Sequence, residues 1–238
     1  MASEPGPGWW PESVSALIEV QRRLAMAAVE VGWRPGGRPP AVAGVFAVGP
    51  RGVGGSGRAG DPGWAAAVVR AGSCTLATAT VRGRLHAPYV PGLLALREGP
   101  LLERALRALP RTPEVVLVDA TGRDHPRRAG LALHLGAAMG LPSIGVTDRT
   151  LVAVAPDPGP EAGAVVEVRL DGELVGYRLR ARAGVRPIVV HAGWQVSAEV
   201  ALEVVRGLIR GARTPEPLRQ ARRLARTLRA DDGGAPGA

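Results

Sequence analysis

Residues 115–136 constrain the fold more than any other stretch of the chain. Four β-favouring apolar residues, Val115, Val116, Leu117 and Val118, run directly into Asp119, and such an unbroken run reads as a strand buried on both faces. Gly122 then permits a tight turn, and an apolar helix is expected over 126–139, with Pro126 near its first position. A carboxylate delivered to the C-terminal end of a strand, ahead of a glycine turn and a helix start, lies where α/β sheets bind ligands. His125 and Arg127, just ahead of and within that helix start, fit an anionic group such as a phosphate. The same run also fits a strand, a turn and a cap with no chemistry, so it limits architecture more firmly than function.

Around it the chain orders itself as one α/β unit. Residues 13–31 carry Val14, Leu17, Ile18, Leu24, Ala25 and Ala28 near helical spacing, which predicts a first helix. Segments 41–48, 64–69 and 75–81 read as three strands before any strand-helix crossover, an antiparallel meander. Residues 91–109 read as helix, 115–119 as strand, 126–139 as helix and 143–146 as strand. Segments 164–170 and 174–180 flank Asp171-Gly172, a hairpin signal, and 187–191 form a further strand. Residues 197–209 and 217–230 are expected as amphipathic helices. The last sets Leu218, Ala221, Leu224, Ala225 and Leu228 against Arg219, Arg222, Arg223, Arg226 and Arg229. That pattern reads first as a solvated surface and second as a nucleic-acid contact. A meander followed by βα units, flanked by helices, is the order of a ribonuclease H-like mixed sheet. One domain over 13–230 is expected, with disordered tails at 1–12 and 231–238.

Composition narrows the class of partner. The formal charge is +9, and all 30 basic residues are arginine; the surplus favours a polyanion, although a basic balance alone is weak support. Cys74 is the single cysteine, which excludes an intramolecular disulfide and a zinc site built from several thiolates. No apolar run approaches the roughly 20 residues that span a bilayer, and the first residues are Pro/Gly-rich and acidic rather than basic and apolar. A cytoplasmic monomer without membrane contact is the expectation.

Two motifs carry a resemblance. Ala87-Pro88-Tyr89-Val90-Pro91-Gly92 leads into Arg97-Glu98-Gly99-Pro100, and Asp119-Ala120-Thr121-Gly122 leads into His125-Pro126-Arg127. In this order, with Leu141-Pro142-Ser143-Ile144-Gly145-Val146 following, they resemble the endonuclease V family. Weaker matches near Gln21 and over 187–205 and 214–219 extend the likeness to nearly the whole chain. The resemblance implies a ribonuclease H-like fold, recognition of DNA or RNA containing deaminated purine (inosine), and Mg²⁺-dependent phosphodiester cleavage 3′ to the lesion. It implies Glu98, Asp119 and His125 as catalytic residues, with Glu98 and Asp119 as metal ligands. Pro88, Tyr89, Val90, Pro91 and Gly92 match the wedge that replaces an extruded base, and Gly122 and Arg127 complete the substrate-binding set.

The chain departs from that pattern at four places. The first-strand position that carries an acidic residue in the family is Phe46, which has no oxygen to offer a metal. Asp148 stands where the family has a lysine, Trp194 where it has a histidine, and Ala120 where it has a glycine. Two readings follow: an enzyme with weakened or rewired chemistry, in which Asp124 or Asp148 rebuilds the metal site, or a non-cleaving protein that keeps wedge and pocket. His134 reads as structural, Arg128 as a phosphate contact, and Trp9 and Trp10 belong to no motif.

Overall fold

The computed structural model describes residues 9–28, 32–51 and 55–233. The elements are α1 (Val14–Ala27), β1 (Val42–Val48), β2 (Pro62–Ala71), β3 (Cys74–Arg84), α2 (Leu94–Arg107), β4 (Val115–Val118) and α3 (Leu131–Met139). They continue as β5 (Ser143–Thr147), β6 (Val165–Leu170), β7 (Glu173–Leu179), β8 (Ile188–Ala192), α4 (Ala198–Leu208) and α5 (Glu216–Gly233). The eight strands form one mixed sheet in the order β3-β2-β1-β4-β5-β8-β7-β6. The meander is antiparallel, while β1, β4 and β5 run parallel at the centre.

Strand alternation divides the core into two layers. Ala43, Val45, Val116 and Val118 pack under α2 and α3, whereas Val42, Val115 and Leu117 pack under α4 and Leu218 of α5. The Asp171-Gly172 turn takes the form its sequence predicts, with φ of 50° and 82°, the left-handed pair that tight hairpins use. Among the described residues no helix is long and apolar enough to cross a membrane.

Three expectations need correction. The helix expected over 126–139 begins only at Leu131, because Arg128 has φ 57°, a left-handed conformation that a helix cannot contain. Gly122 accepts from the Gly130 N–H and Thr121 from the Ala132 N–H, so residues 121–130 form a closed loop against the helix start. Within the expected N-terminal tail, Trp10 stacks on His134 at 4.5 Å between centroids and fills the space left by Gly99. The Trp9 carbonyl accepts from His134 Nε2 at 2.6 Å. At the other end α5 continues to Gly233, where Asp232 accepts from Trp64 and Arg82 at 2.5 and 2.7 Å.

Candidate active site

The site lies at the C-terminal ends of β1 and β4. Val45 pairs with Val118 in parallel register, so Phe46 and Asp119 are the next residues along two neighbouring strands. Side-chain alternation turns both toward the α5 layer, since Val42 and Leu117 of the same parity pack there. Phe46, Asp119 and Glu98 of α2 line one cavity of about 610 Å³, together with Tyr89, Gly92 and His125. The residues that the sequence motifs single out therefore converge.

The wedge segment is exposed at its tip and anchored at its base. Tyr89 is 50% and Val90 40% exposed, and the Tyr89 N–H donates to Ser56. Arg97 donates to the Ala87 carbonyl at 2.5 Å from the buried side of the same loop. At the turn itself Gly92 has φ 79°, and its carbonyl accepts from Gln21 Nε2 (3.3 Å), His125 Nε2 (3.0 Å) and Arg127 Nη2 (2.7 Å).

That convergence corrects the roles expected of two residues. His125 is buried, with Nε2 on Gly92 and Nδ1 accepting from the Arg127 N–H at 3.1 Å, so both ring nitrogens hold the loop. Burial keeps its pKa down, at about 4, against the opposing Gly92 hydrogen bond; the ring is neutral and holds no charge toward a phosphate. Arg127 is likewise tied to Gly92 and to Gln21 Oε1 at 2.6 Å. Arg128 is turned away altogether, donating to Leu170 and Asp171 of the β6–β7 hairpin.

The two extra acidic residues do not rebuild a metal site. Asp124 is fully buried and accepts from the backbone N–H groups of Leu151, Val152 and Ala153 at 2.7, 3.0 and 2.9 Å; it staples that loop. Asp148 lines the cavity but pairs with Arg213 at 2.6 Å. Trp194 packs with Trp9, Val20 and Leu24 away from the cavity, and His191 is buried with Nε2 2.8 Å from Thr147 Oγ1.

What meets Asp119 is a residue that motif reading missed. Arg222 of α5 donates Nη2 and Nε to Asp119 Oδ2 at 2.9 and 3.2 Å. Its guanidinium lies 5.6 Å from the centroid of the Phe46 ring, and that of Arg226, one turn further along, lies 5.8 Å from it. Both distances fall within cation–π range. Gly44 makes this approach possible: a Cβ there would stand 2.3 Å from the Pro217 carbonyl carbon. Without a side chain at that position α5 lies directly on β1.

Enclosure pushes the Glu98 pKa up to about 8, with the neighbouring Asp119 charge adding to it and Arg97 opposing. That enclosure favours the neutral form of Glu98, which can donate a hydrogen bond. Burial also raises Asp119, while the charge and hydrogen bond of Arg222 lower it. Among the described residues no three His, Cys, Asp or Glu side chains converge to hold an ion. Two carboxylates, one of them already occupied by a guanidinium, and an apolar ring in the third place do not fit a divalent metal.

A parallel-centred mixed sheet with helices on both faces and carboxylates at the strand ends defines a ribonuclease H-like protein. The endonuclease V family model matches residues 53–223. The endonuclease V of Nocardia farcinica is 46% identical over 158 residues, 66% of this chain and 70% of that protein. The matched stretch falls to 64% of the Xanthomonas campestris endonuclease V, less than two thirds of its length. The crystal structure of the Streptomyces avermitilis endonuclease V superposes with a TM-score of 0.82 at 35% identity, covering 96% of this chain and 98% of that one. The Ciona intestinalis endonuclease V, crystallised with DNA containing an inosine, shares the fold at a TM-score of 0.76 and 21% identity, over 93% of this chain and 100% of that one. The chain belongs to the endonuclease V family.

Proposed function

We propose that this family member binds nucleic acid containing a deaminated purine, inosine, and that the family's metal-dependent cleavage 3′ to the lesion is weakened or lost in it. The observation that carries the reading is Arg222 seated on Asp119 against the ring of Phe46. A nuclease of this kind needs carboxylates to hold a cation that orients water and offsets charge on the leaving oxygen. Here one carboxylate is replaced by Phe46 and a second, Asp119, is paired to the protein's own cation, which leaves Glu98 alone.

Binding needs none of this. Tyr89 presents an exposed aromatic face on a proline-flanked turn, and stacking in place of an extruded base is worth roughly 1–3 kcal/mol. The Gly92 carbonyl, held by Gln21, His125 and Arg127, keeps that turn at the cavity mouth. Glu98, as a neutral acid, can donate to a base or phosphate oxygen where an ionised carboxylate would repel it.

The test is to incubate the protein with DNA and RNA strands carrying one inosine, in Mg²⁺ or Mn²⁺, and to resolve both complexes and products. Retarded but uncut strands are expected. Metal-dependent nicking that Glu98→Ala abolishes would overturn the loss of cleavage, and failure to retard any strand would overturn the binding.

A further inference from the structure

The family's substrate strand approaches a site that in this chain carries a guanidinium rather than room for a dication. We infer that Arg222 and Arg226 together form a metal-independent phosphodiester clamp, mounted on Phe46 and continued by the basic cleft along α5. The inference rests on the inosine-strand reading above and adds the group that receives the backbone.

Phe46 does two things here. It removes the oxygen a metal would need, and its ring face attracts guanidinium groups. Two of them use it: Arg222 at 5.6 Å and Arg226 at 5.8 Å from the same centroid. A ring that serves only as filler for a vacated ligand position would not require a cation on it, still less two of them one helical turn apart. Residues i and i+4 of a helix share a face, so 222 and 226 are presented side by side.

Both guanidinium groups keep donors to spare. Arg222 spends Nε and Nη2 on one oxygen of Asp119, and its Nη1 has only a 3.5 Å contact with Thr214 Oγ1. Arg226 is exposed and has no carboxylate partner among the described residues. Arg226, on the same ring as Arg222 and without a carboxylate of its own, therefore offers a guanidinium to an anion beside the cavity that the wedge serves. Arg222 also lines a second cleft, of about 740 Å³, with Arg51, Arg223 and Arg226. Glu216, the one acidic side chain in that cleft among the described residues, is taken up by Arg219 and Gln220 at 2.8 Å each. Arg222, on Asp119 at the strand end, thus also belongs to a cleft lined by Arg51, Arg219, Arg223 and Arg226 along α5. Guanidinium groups donate in a planar fork that matches phosphate oxygens, and the ligand class that fits a line of them beside the cavity served by the wedge is a nucleic-acid strand.

The experiment is a fluorescence-anisotropy titration of the full chain with an inosine-containing oligonucleotide, in EDTA and again in Mg²⁺. Affinities that agree within about twofold are expected, since both cations of the clamp are covalent parts of the protein. Arg226→Ala, at an exposed position whose loss should not disturb folding, should weaken binding about tenfold at low salt and reduce the log–log salt slope by about one. Arg222→Ala should weaken it as well, and Arg222→Lys should recover part of the loss. Binding that is lost in EDTA and restored by Mg²⁺ would overturn the clamp while leaving the inosine-strand reading intact. An unchanged slope in Arg226→Ala, or tighter binding by Arg222→Ala, would also overturn it, the latter by making Arg222 a plug. No binding of any strand under either condition would sink the underlying reading, and the clamp with it.

Discussion

At Phe46 a single side chain alters both the ligand count and the electrostatics of the site. The ring holds Arg222 and Arg226 where an oxygen would have held an ion, so restoring the oxygen alone does not evict the arginines. Phe46→Asp should therefore remain inactive in a Mg²⁺ or Mn²⁺ nicking assay, its new carboxylate pairing with Arg222; cleavage comparable to a competent family member would show that only one oxygen was missing. Tyr89 gives the complementary case. It is 50% exposed, so Tyr89→Ala should change the unfolding free energy by no more than about 0.5 kcal/mol while removing most of the preference for an inosine strand over an ordinary one. Equal preference in parent and variant by competition binding would remove Tyr89 from recognition. Phe46, Tyr89, Glu98 and Asp119 were all legible in the sequence because each sits in a short motif with a fixed register. Arg222 was not: its partner Asp119 lies on another element more than a hundred residues earlier, and in a helix rich in arginine it looks like solvated charge. Asp124 and Arg128 misled for the same reason, since their partners, the backbone of 151–153 and the β6–β7 hairpin, come from distant segments.

The element that decides the site is α5. Its buried stripe of Leu218, Ala221 and Ala225 settles on β1 and β2, and that seating carries Arg222 and Arg226 to the strand ends. Gly44 sets the height of the helix above the sheet. Adding a methyl group there, 2.3 Å from Pro217 carbon and 2.5 Å from its carbonyl oxygen, cannot be absorbed by a side-chain rotation, because the obstacle is backbone. Gly44→Ala should cost about 2 kcal/mol or more in urea unfolding and should weaken strand binding in proportion to the displaced arginines. A variant of parental stability and affinity would mean that α5 is not seated as described. Strand identities were legible from uninterrupted apolar runs, and the hairpin from Asp171-Gly172. The late start of α3 was not, because Pro126 signals a helix start while the closure of 121–130, with its left-handed Arg128, depends on packing against Ala192 and the β6–β7 hairpin.

Across the whole molecule, buried titratable groups give stability a defined pH range. Burial above all lowers His125, His134 and His191 to about 4 from an ordinary value of 6.5. These rings are neutral when folded and take up protons when unfolded. Their contribution is complete above pH 6.5 and is lost as the pH falls toward 4, on the order of a few kcal/mol together. Glu98 acts in the opposite sense: raised to about 8 from 4.5, it favours the fold below 4.5 and ceases to do so as the pH rises through 8. The urea midpoint should therefore fall on both sides of a maximum near neutrality, and Glu98→Gln should flatten the alkaline side alone. A midpoint independent of pH between 4 and 7 would contradict the buried neutral histidines. Within that enclosed site Arg222 takes the place of a metal on Asp119. Crystals of the protein grown with an inosine-containing strand and Mn²⁺ test it directly, through anomalous scattering at the manganese edge. Arg222 is expected on Asp119, with a backbone phosphate against Arg226 and no anomalous peak between Glu98 and Asp119. A manganese peak bridging those two carboxylates, with Arg222 swung out of the site, would contradict it.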